Sequence, residues 1–147
     1  PLFRYEVLAL LAHQHPLTKK KFLTAQDFAK ETLITYPIPD DRIDVVREVL
    51  GPLGVNPVRR TAMLTVAILQ LVASQRGIAA MPGWAVQPYL ERRYVAQRPV
   101  RKSGLFSNLN AATTRALAGT AYMREFIATM KKVSFDSLKG IAPVDEV

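Results

Sequence analysis

Six consecutive apolar residues, Val7–Ala12, constrain this chain more than any other stretch of its sequence. They follow Arg4, Tyr5 and Glu6 directly, and His13–Gln14–His15–Pro16 ends them. A run so short and so apolar suits a strand covered on both faces, the situation of strands inside a parallel sheet. Pro16 lacks an amide hydrogen and pushes His15 toward extended geometry, which places a loop after the strand. A strand of that kind belongs in the middle of a sheet, yet almost nothing precedes it. The expectation is that other strands of its sheet lie outside this sequence, and a start at Pro1 without Met points to a fragment or a processed product.

Strands and helices alternate downstream. Thr24, with Asp27 three positions later, caps a short helix over Ala25–Lys30. Thr32–Tyr36 is rich in β-branched and aromatic side chains and forms a second strand, which Pro37 and Pro39 stop. Asp40 and Asp41 offer a cap for a helix over Arg42–Leu53, whose Ile43, Val46, Val49, Leu50 and Leu53 share one face. Gly54 is its natural terminator. Val55–Arg60 is a third strand. Thr61–Gln75 is the strongest helix, and its wide apolar surface predicts burial on more than one side. Ile78–Met81 is a strand, Trp84–Glu91 a helix in which Pro88 requires an early position or a kink, and Tyr94–Gln97 a strand. Arg98–Gly104 is a basic linker, Leu105–Ala112 a strand and Tyr122–Lys132 a helix; Ser134–Val147 loses periodicity and is expected to be a mobile tail. This alternation implies an α/β fold with a mostly parallel sheet.

Composition bounds the function. The chain has 147 residues, 49% of them apolar, and no Cys, so it has a core's worth of apolar side chains and no disulfide or thiolate chemistry. No apolar run approaches the roughly 20 residues of a membrane helix. The net charge of +8 invites nucleic acid as a partner, but it is local. Residues 61–102 hold six basic side chains against one acid, with Arg92, Arg93, Arg98, Arg101 and Lys102 clustered. Tyr94 within that cluster offers a lone stacking platform, against the alternative of solvated cations around a half-buried strand. Dinucleotide, phosphate-loop and nucleophile-elbow motifs are absent. His13 and His15 lack a third ligand for a metal. The junctions Tyr36–Pro37 and Met81–Pro82 end strands, and ligands of open α/β sheets bind beyond such carboxyl ends.

Ile68–Pro82, ILQLVASQRGIAAMP, resembles the helix–turn–strand motif of LysR-type transcriptional regulators, V-A-x-G-x-G-I-x-x-L-P, with Val72, Ala73, Gly77, Ile78 and Pro82 matching. Gln75 stands for the first Gly and Met81 for the Leu. Tyr5–Leu17 resembles the strand and HPL element that enters the second subdomain of the same effector-binding module. Glu31–Pro37, ETLITYP, and the stretch ASQRGIAAMPGWAVQPYLERRYV are similar to the branch that regulates methionine biosynthesis.

The resemblance implies a Rossmann-like effector domain of the periplasmic-binding-protein type II class, with its second subdomain complete and its first partial. Residues 1–100 would be the second subdomain with its opening crossing strand. Residues 101–133 would return to the first subdomain, and 134–147 would be the tail. It implies a cytoplasmic regulator, not an enzyme, without cofactor or metal and without membrane contact. Its effector would be homocysteine or a similar small molecule. Its effector domains would form dimers, with tetramers in the full-length protein, and DNA would be contacted only through an N-terminal domain absent here. Carried over by position, the effector site would include Tyr36, Pro37, Thr61, Met63, Thr65, Pro82 and Trp84. Thr61 and Thr65 would donate to a carboxylate, while Tyr36, Met63 and Trp84 would form apolar walls; Trp84 as simple core filler is the equal alternative. A solute-binding receptor of the same two-lobed architecture is the competing class.

Overall fold

The computed structural model describes residues 1–144. The apolar run lies in β1 (Phe3–Leu11), inside a seven-stranded sheet whose main path runs β3 (Val58–Thr61), β2 (Thr32–Thr35), β4 (Ile78–Pro82), β1, β5 (Ala96–Pro99). Its two halves have different neighbours. Val7–Leu10 pair with β4 and Leu8–Leu11 with β5, whereas Phe3–Glu6 pair with β6 (Phe106–Leu109) and Arg4–Tyr5 with β7 (Ile141–Ala142).

The sheet is mixed, not mostly parallel. β1 is antiparallel to all four of its partners, and the parallel pairings between strands are those of β2 with β3 and with β4. Burial on both faces explains why sequence pattern misjudged this. A continuous apolar run records that both faces are covered, and coverage carries no information on the direction of the neighbours. The coverage itself is as expected. Val7, Ala9 and Leu11 join a core with Leu23, Phe28, Leu33, Leu50 and Ile78 on one side. Leu10 joins Ile34, Ile68, Leu69, Val72, Met81 and Val86 on the other. Each large apolar side chain so enclosed contributes about 1.5–3 kcal/mol relative to exposure.

Helices cover the two faces: α1 (Ala25–Ala29), α2 (Thr65–Ala73) and α3 (Gly83–Glu91), with α4 (Arg115–Ala118) and α5 (Ala121–Ser137) following β6. α1 carries a capping box, in which the Asp27 carboxylate accepts from the Thr24 amide at 2.8 Å. Pro88 sits in mid-helix of α3, not in its first turn.

Three predicted elements differ. Arg42–Leu53 is not one α-helix but a 3-10 turn (Asp40–Arg42), a π turn (Val46–Leu50) and a second 3-10 turn (Gly51–Leu53). Pro52 has no amide to continue an α-helical ladder, and the β-branched Val45, Val46 and Val49 favour helix weakly. Part of the apolar face survives the change: Ile43, Val49 and Leu50 are buried, Val46 is half-buried, and Leu53 is exposed. Gly54 closes the segment in the left-handed region, at φ 64°.

α2 starts at Thr65, because Val58–Thr61 continues beside β2, with Thr61 opposite Thr35. It buries only one face, Ile68, Leu69 and Val72, and leaves Met63, Leu64 and Val66 exposed at its start. The predicted tail also acquires structure: α5 runs to Ser137, and Ile141–Ala142 joins β1. Residues 145–147 of that predicted tail lie outside the described residues. Among the described residues, no helix is long and apolar enough to cross a membrane.

Candidate functional site

The parallel strands β2 and β4 end side by side, and the chain leaving β2 arches over their ends as far as Asp44. Beneath the arch lies a cavity of about 210 Å³. Ile34, Thr35 and Tyr36 line it from β2, and Ala80, Met81 and Pro82 from β4. Tyr5 and Val7 of β1, Ile68 of α2, and Ile38, Arg42, Ile43 and Asp44 of the arch complete it. The position is the one that an open α/β sheet favours for ligands.

Polar groups at this wall are linked. The hydroxyls of Tyr36 and Thr65 share a hydrogen bond of 2.5 Å, joining the end of β2 to the first residue of α2. Thr35 is buried, and Arg59 donates to its hydroxyl at 3.2 Å while pairing with Asp40 at 3.1 Å. Asp44 accepts from Arg47 at 2.7 Å, and Arg47 also contacts Glu48 at 2.9 Å. The first amides of α2, beside Thr65, have no helical carbonyl of their own.

The structure brings three of the seven sequence-derived residues together. Tyr36 and Pro82 line the cavity, and Thr65 adjoins it through Tyr36. Pro37 is exposed beyond the wall. Thr61 ends β3, and Met63 is 80% exposed on the turn to α2. Trp84 packs edge-on against Phe3 at 5.7 Å and against Tyr5 at 6.4 Å, so it supports the cavity wall from behind. Its indole nitrogen is buried without a hydrogen-bond partner. Sequence reasoning missed Arg42 and Asp44, because a helix over Arg42–Leu53 assigns them to a solvated first turn. The extended backbone of Ile43 between them, φ −105°, ψ 106°, is what turns that segment into a wall.

The other candidate groups find structural partners. His13 Nε2 donates to the Arg93 carbonyl at 2.5 Å. His15 Nδ1 instead accepts from the Leu17 amide at 3.1 Å, with Nε2 3.3 Å from Glu31. No cluster of three or more His, Cys, Asp or Glu suited to a metal occurs among the described residues. Arg98 is spent on the carbonyls of Gln97, Lys20 and Thr18. Tyr94 donates to Gln70 and tilts against Tyr89, which leaves it a poor stacking platform for bases.

Comparisons with known proteins agree with this architecture. The LysR substrate binding domain model matches residues 1–134. The HTH-type transcriptional regulator MetR of Haemophilus influenzae is 48% identical over 142 residues, covering 97% of this chain and 46% of that protein. MetR of Escherichia coli K12 is 37% identical over 138 residues, covering 94% of this chain and 43% of that protein. The regulatory domain of MetR from Neisseria meningitidis superposes with a TM-score of 0.94 at 45% identity, covering 99% of this chain and 67% of that one. The chain therefore spans less than half the length of these curated relatives, which are transcriptional regulators, not enzymes. The mixed α/β sheet with its covering helices is the LysR effector-binding fold, of the periplasmic-binding-protein type II class. The chain belongs to the LysR substrate-binding domain family.

Proposed function

We propose that this chain is the effector-binding and oligomerising portion of a LysR-type transcriptional regulator of methionine biosynthesis, and that it senses a homocysteine-like small molecule. The observation that carries the reading is the cavity at the ends of β2 and β4 in a chain 48% identical to a MetR regulator. Its walls suit such a ligand. Ile34, Ile38, Ile68 and Met81 are apolar, as a thiol-bearing chain requires, while Thr35 and Tyr36 bring hydroxyls. The named relatives favour a regulator over a solute-binding receptor.

In this reading residues 1–100 form the second effector subdomain, 101–133 the return to the first, and DNA is contacted by an N-terminal domain outside this chain. The protein works in the cytoplasm, as dimers of effector domains and tetramers of the full regulator. Effector binding between the subdomains shifts the population toward a closed form and so alters the geometry of the oligomer on DNA. No cofactor takes part.

Calorimetry of the complete polypeptide with homocysteine, other thiol amino acids and sulfate tests the reading. Saturable heat with homocysteine is the expected result. Absence of binding by every thiol amino acid overturns it.

A further inference from the structure

Residues 13–23 include the lysine run Lys19–Lys21 and no acid, and residues 92–102 include five basic side chains and no acid. The fold lays these two stretches against each other. His13 Nε2 meets the Arg93 carbonyl at 2.5 Å, and Arg98 donates to the carbonyls of Thr18 and Lys20. The Leu23 amide donates to the Pro99 carbonyl at 2.9 Å, and the Arg101 amide to the Leu23 carbonyl at 2.8 Å. Lys20 is neutralised by Asp27 at 2.7 Å. Lys19, Lys21, Arg92, Arg93 and Lys102 are exposed and have no ion pair among the described residues. They form a basic belt at the pole of the sheet opposite the cavity. Leu11 at the end of β1 pairs with Ala96 at the start of β5, and Leu10 pairs with Ala79 near the start of β4, whereas the cavity lies at the other end of β4.

We propose that this belt docks on the phosphate backbone of duplex DNA, as a sequence-independent contact added to the one assigned to the N-terminal domain. Cations gathered without acids repel one another, and a polyanion that displaces their counterions relieves the repulsion. The composition favours phosphate over an acidic protein. Protein interfaces centre on apolar and aromatic side chains and are poor in lysine. In the two stretches Tyr94 is the one large apolar side chain left exposed, and its hydroxyl is tied to Gln70. Lysines and arginines without an apolar centre suit phosphates, which fix a protein's position on DNA without reading its bases. Arg98 is the positioning residue: by holding the carbonyls of Thr18 and Lys20 against β5 it keeps Lys19 and Lys21 beside the arginines. The inference rests on the regulator reading above, which brings DNA to the protein, and it is independent of the effector.

The test is fluorescence anisotropy of the complete polypeptide with two labelled DNA duplexes of unrelated sequence, over a range of NaCl concentrations. The belt variant is Lys19→Gln/Lys21→Gln/Arg92→Gln/Arg93→Gln. The control, Arg60→Gln/Arg115→Gln/Arg124→Gln/Lys131→Gln, removes the same charge from exposed sites outside the belt. Each phosphate contact contributes about 0.9 to the slope of log affinity against log salt. The belt variant is expected to lose about 2 to 4 from that slope and at least about tenfold in affinity at low salt, equally on both duplexes. The control is expected to keep the parent's slope. Thermal melts of both variants, expected near that of the parent, exclude loss of fold as the cause. A belt variant with the parent's slope and affinity overturns the contact while the regulator reading stands. An equal loss in the control also overturns it, since net charge alone would then account for the effect. A belt variant that binds DNA as the parent does but no longer regulates transcription in vitro would assign the belt to an acidic protein, and this too overturns it. If the parent binds neither duplex at the lowest salt, the regulator reading fails and the belt contact fails with it.

Discussion

Tyr36 and Thr65 are 29 positions apart in sequence, and their hydroxyls meet at 2.5 Å. The contact ties the end of a central strand to the start of the helix that covers it, at the edge of the cavity. Tyr36→Phe removes one hydroxyl and leaves the ring in the wall. The expected cost is about 1 kcal/mol of stability, and Thr65→Val is expected to cost about the same. The double variant should cost little more than either single change, since both remove one interaction. Chemical denaturation of the four proteins measures this; additive losses would mean that the hydroxyls act independently. Thr61→Ala, at the end of β3, is expected to leave effector affinity within about twofold.

Gly77 joins α2 to β4 where no other residue fits. A Cβ there would lie 2.4 Å from the Thr32 carbonyl oxygen and 3.0 Å from the Ile34 side chain. Thr32 and Ile34 belong to β2, which β4 must pair beside, so relief of the clash would push the two strands apart. Gly77→Ala is expected to destabilise the fold by about 2–3 kcal/mol, read as a lowered denaturation midpoint. Gly119→Ala, where a Cβ would meet nothing within 4 Å, is the matched control.

Asp27 anchors the start of α1. Burial pushes its carboxyl up, but the Lys20 ammonium and the amide and hydroxyl of Thr24 outweigh burial and hold it below the usual range. A folded-state pKa below the unfolded value gives stability that is present above the unfolded pKa and is lost as pH falls through the folded one. Asp27→Asn should therefore cost about 1 kcal/mol near neutral pH and progressively less on acidification. Melting temperatures of parent and variant from pH 7 down to pH 2 check the convergence.

Glu6 has the opposite sign. Burial raises its carboxyl above the ordinary value. The native chain then holds the proton more tightly than the unfolded chain, and stability falls as pH rises through the unfolded pKa toward the folded one. Glu6→Gln is expected to raise the melting temperature at pH 7 and to have no such effect at pH 3. A variant that melts lower than the parent at pH 7 would show that the carboxylate is favourably held.

These elements also mark what a sequence of this kind discloses. The enclosure of β1 was legible, because six apolar residues in succession leave no face for water. The direction of its partners was not, since antiparallel and parallel neighbours bury the same side chains. Of the stripe Ile43, Val46, Val49, Leu50 and Leu53, three residues are buried and Leu53 is exposed, since a 3.6-residue period cannot distinguish an α-helix from 3-10 and π turns in series when Pro52 interrupts the ladder. Tyr36, Thr65 and Pro82 were accessible through strand ends and resemblance. Arg42 and Asp44 were hidden by the acids around them, which read as a helix cap, and only the extended backbone at Ile43 brings them to the cavity.

The divided pairing of β1 bears on how the chain acquires its structure during synthesis. Phe3 finds Leu109, Leu11 finds Ala96, and Tyr5 finds Ile141, close to the far end of the described chain. The most apolar strand thus leaves the ribosome well before β4, β5, β6 or β7 exists, and loop closure over such separations is slow. Until β4 and β5 are made, Val7–Leu11 lacks the partners that cover its edges here and is aggregation-prone. Newly made chains should depend on protection by chaperones at this segment, and translation stalled before Ile78 should yield material that no later addition of ligand can rescue.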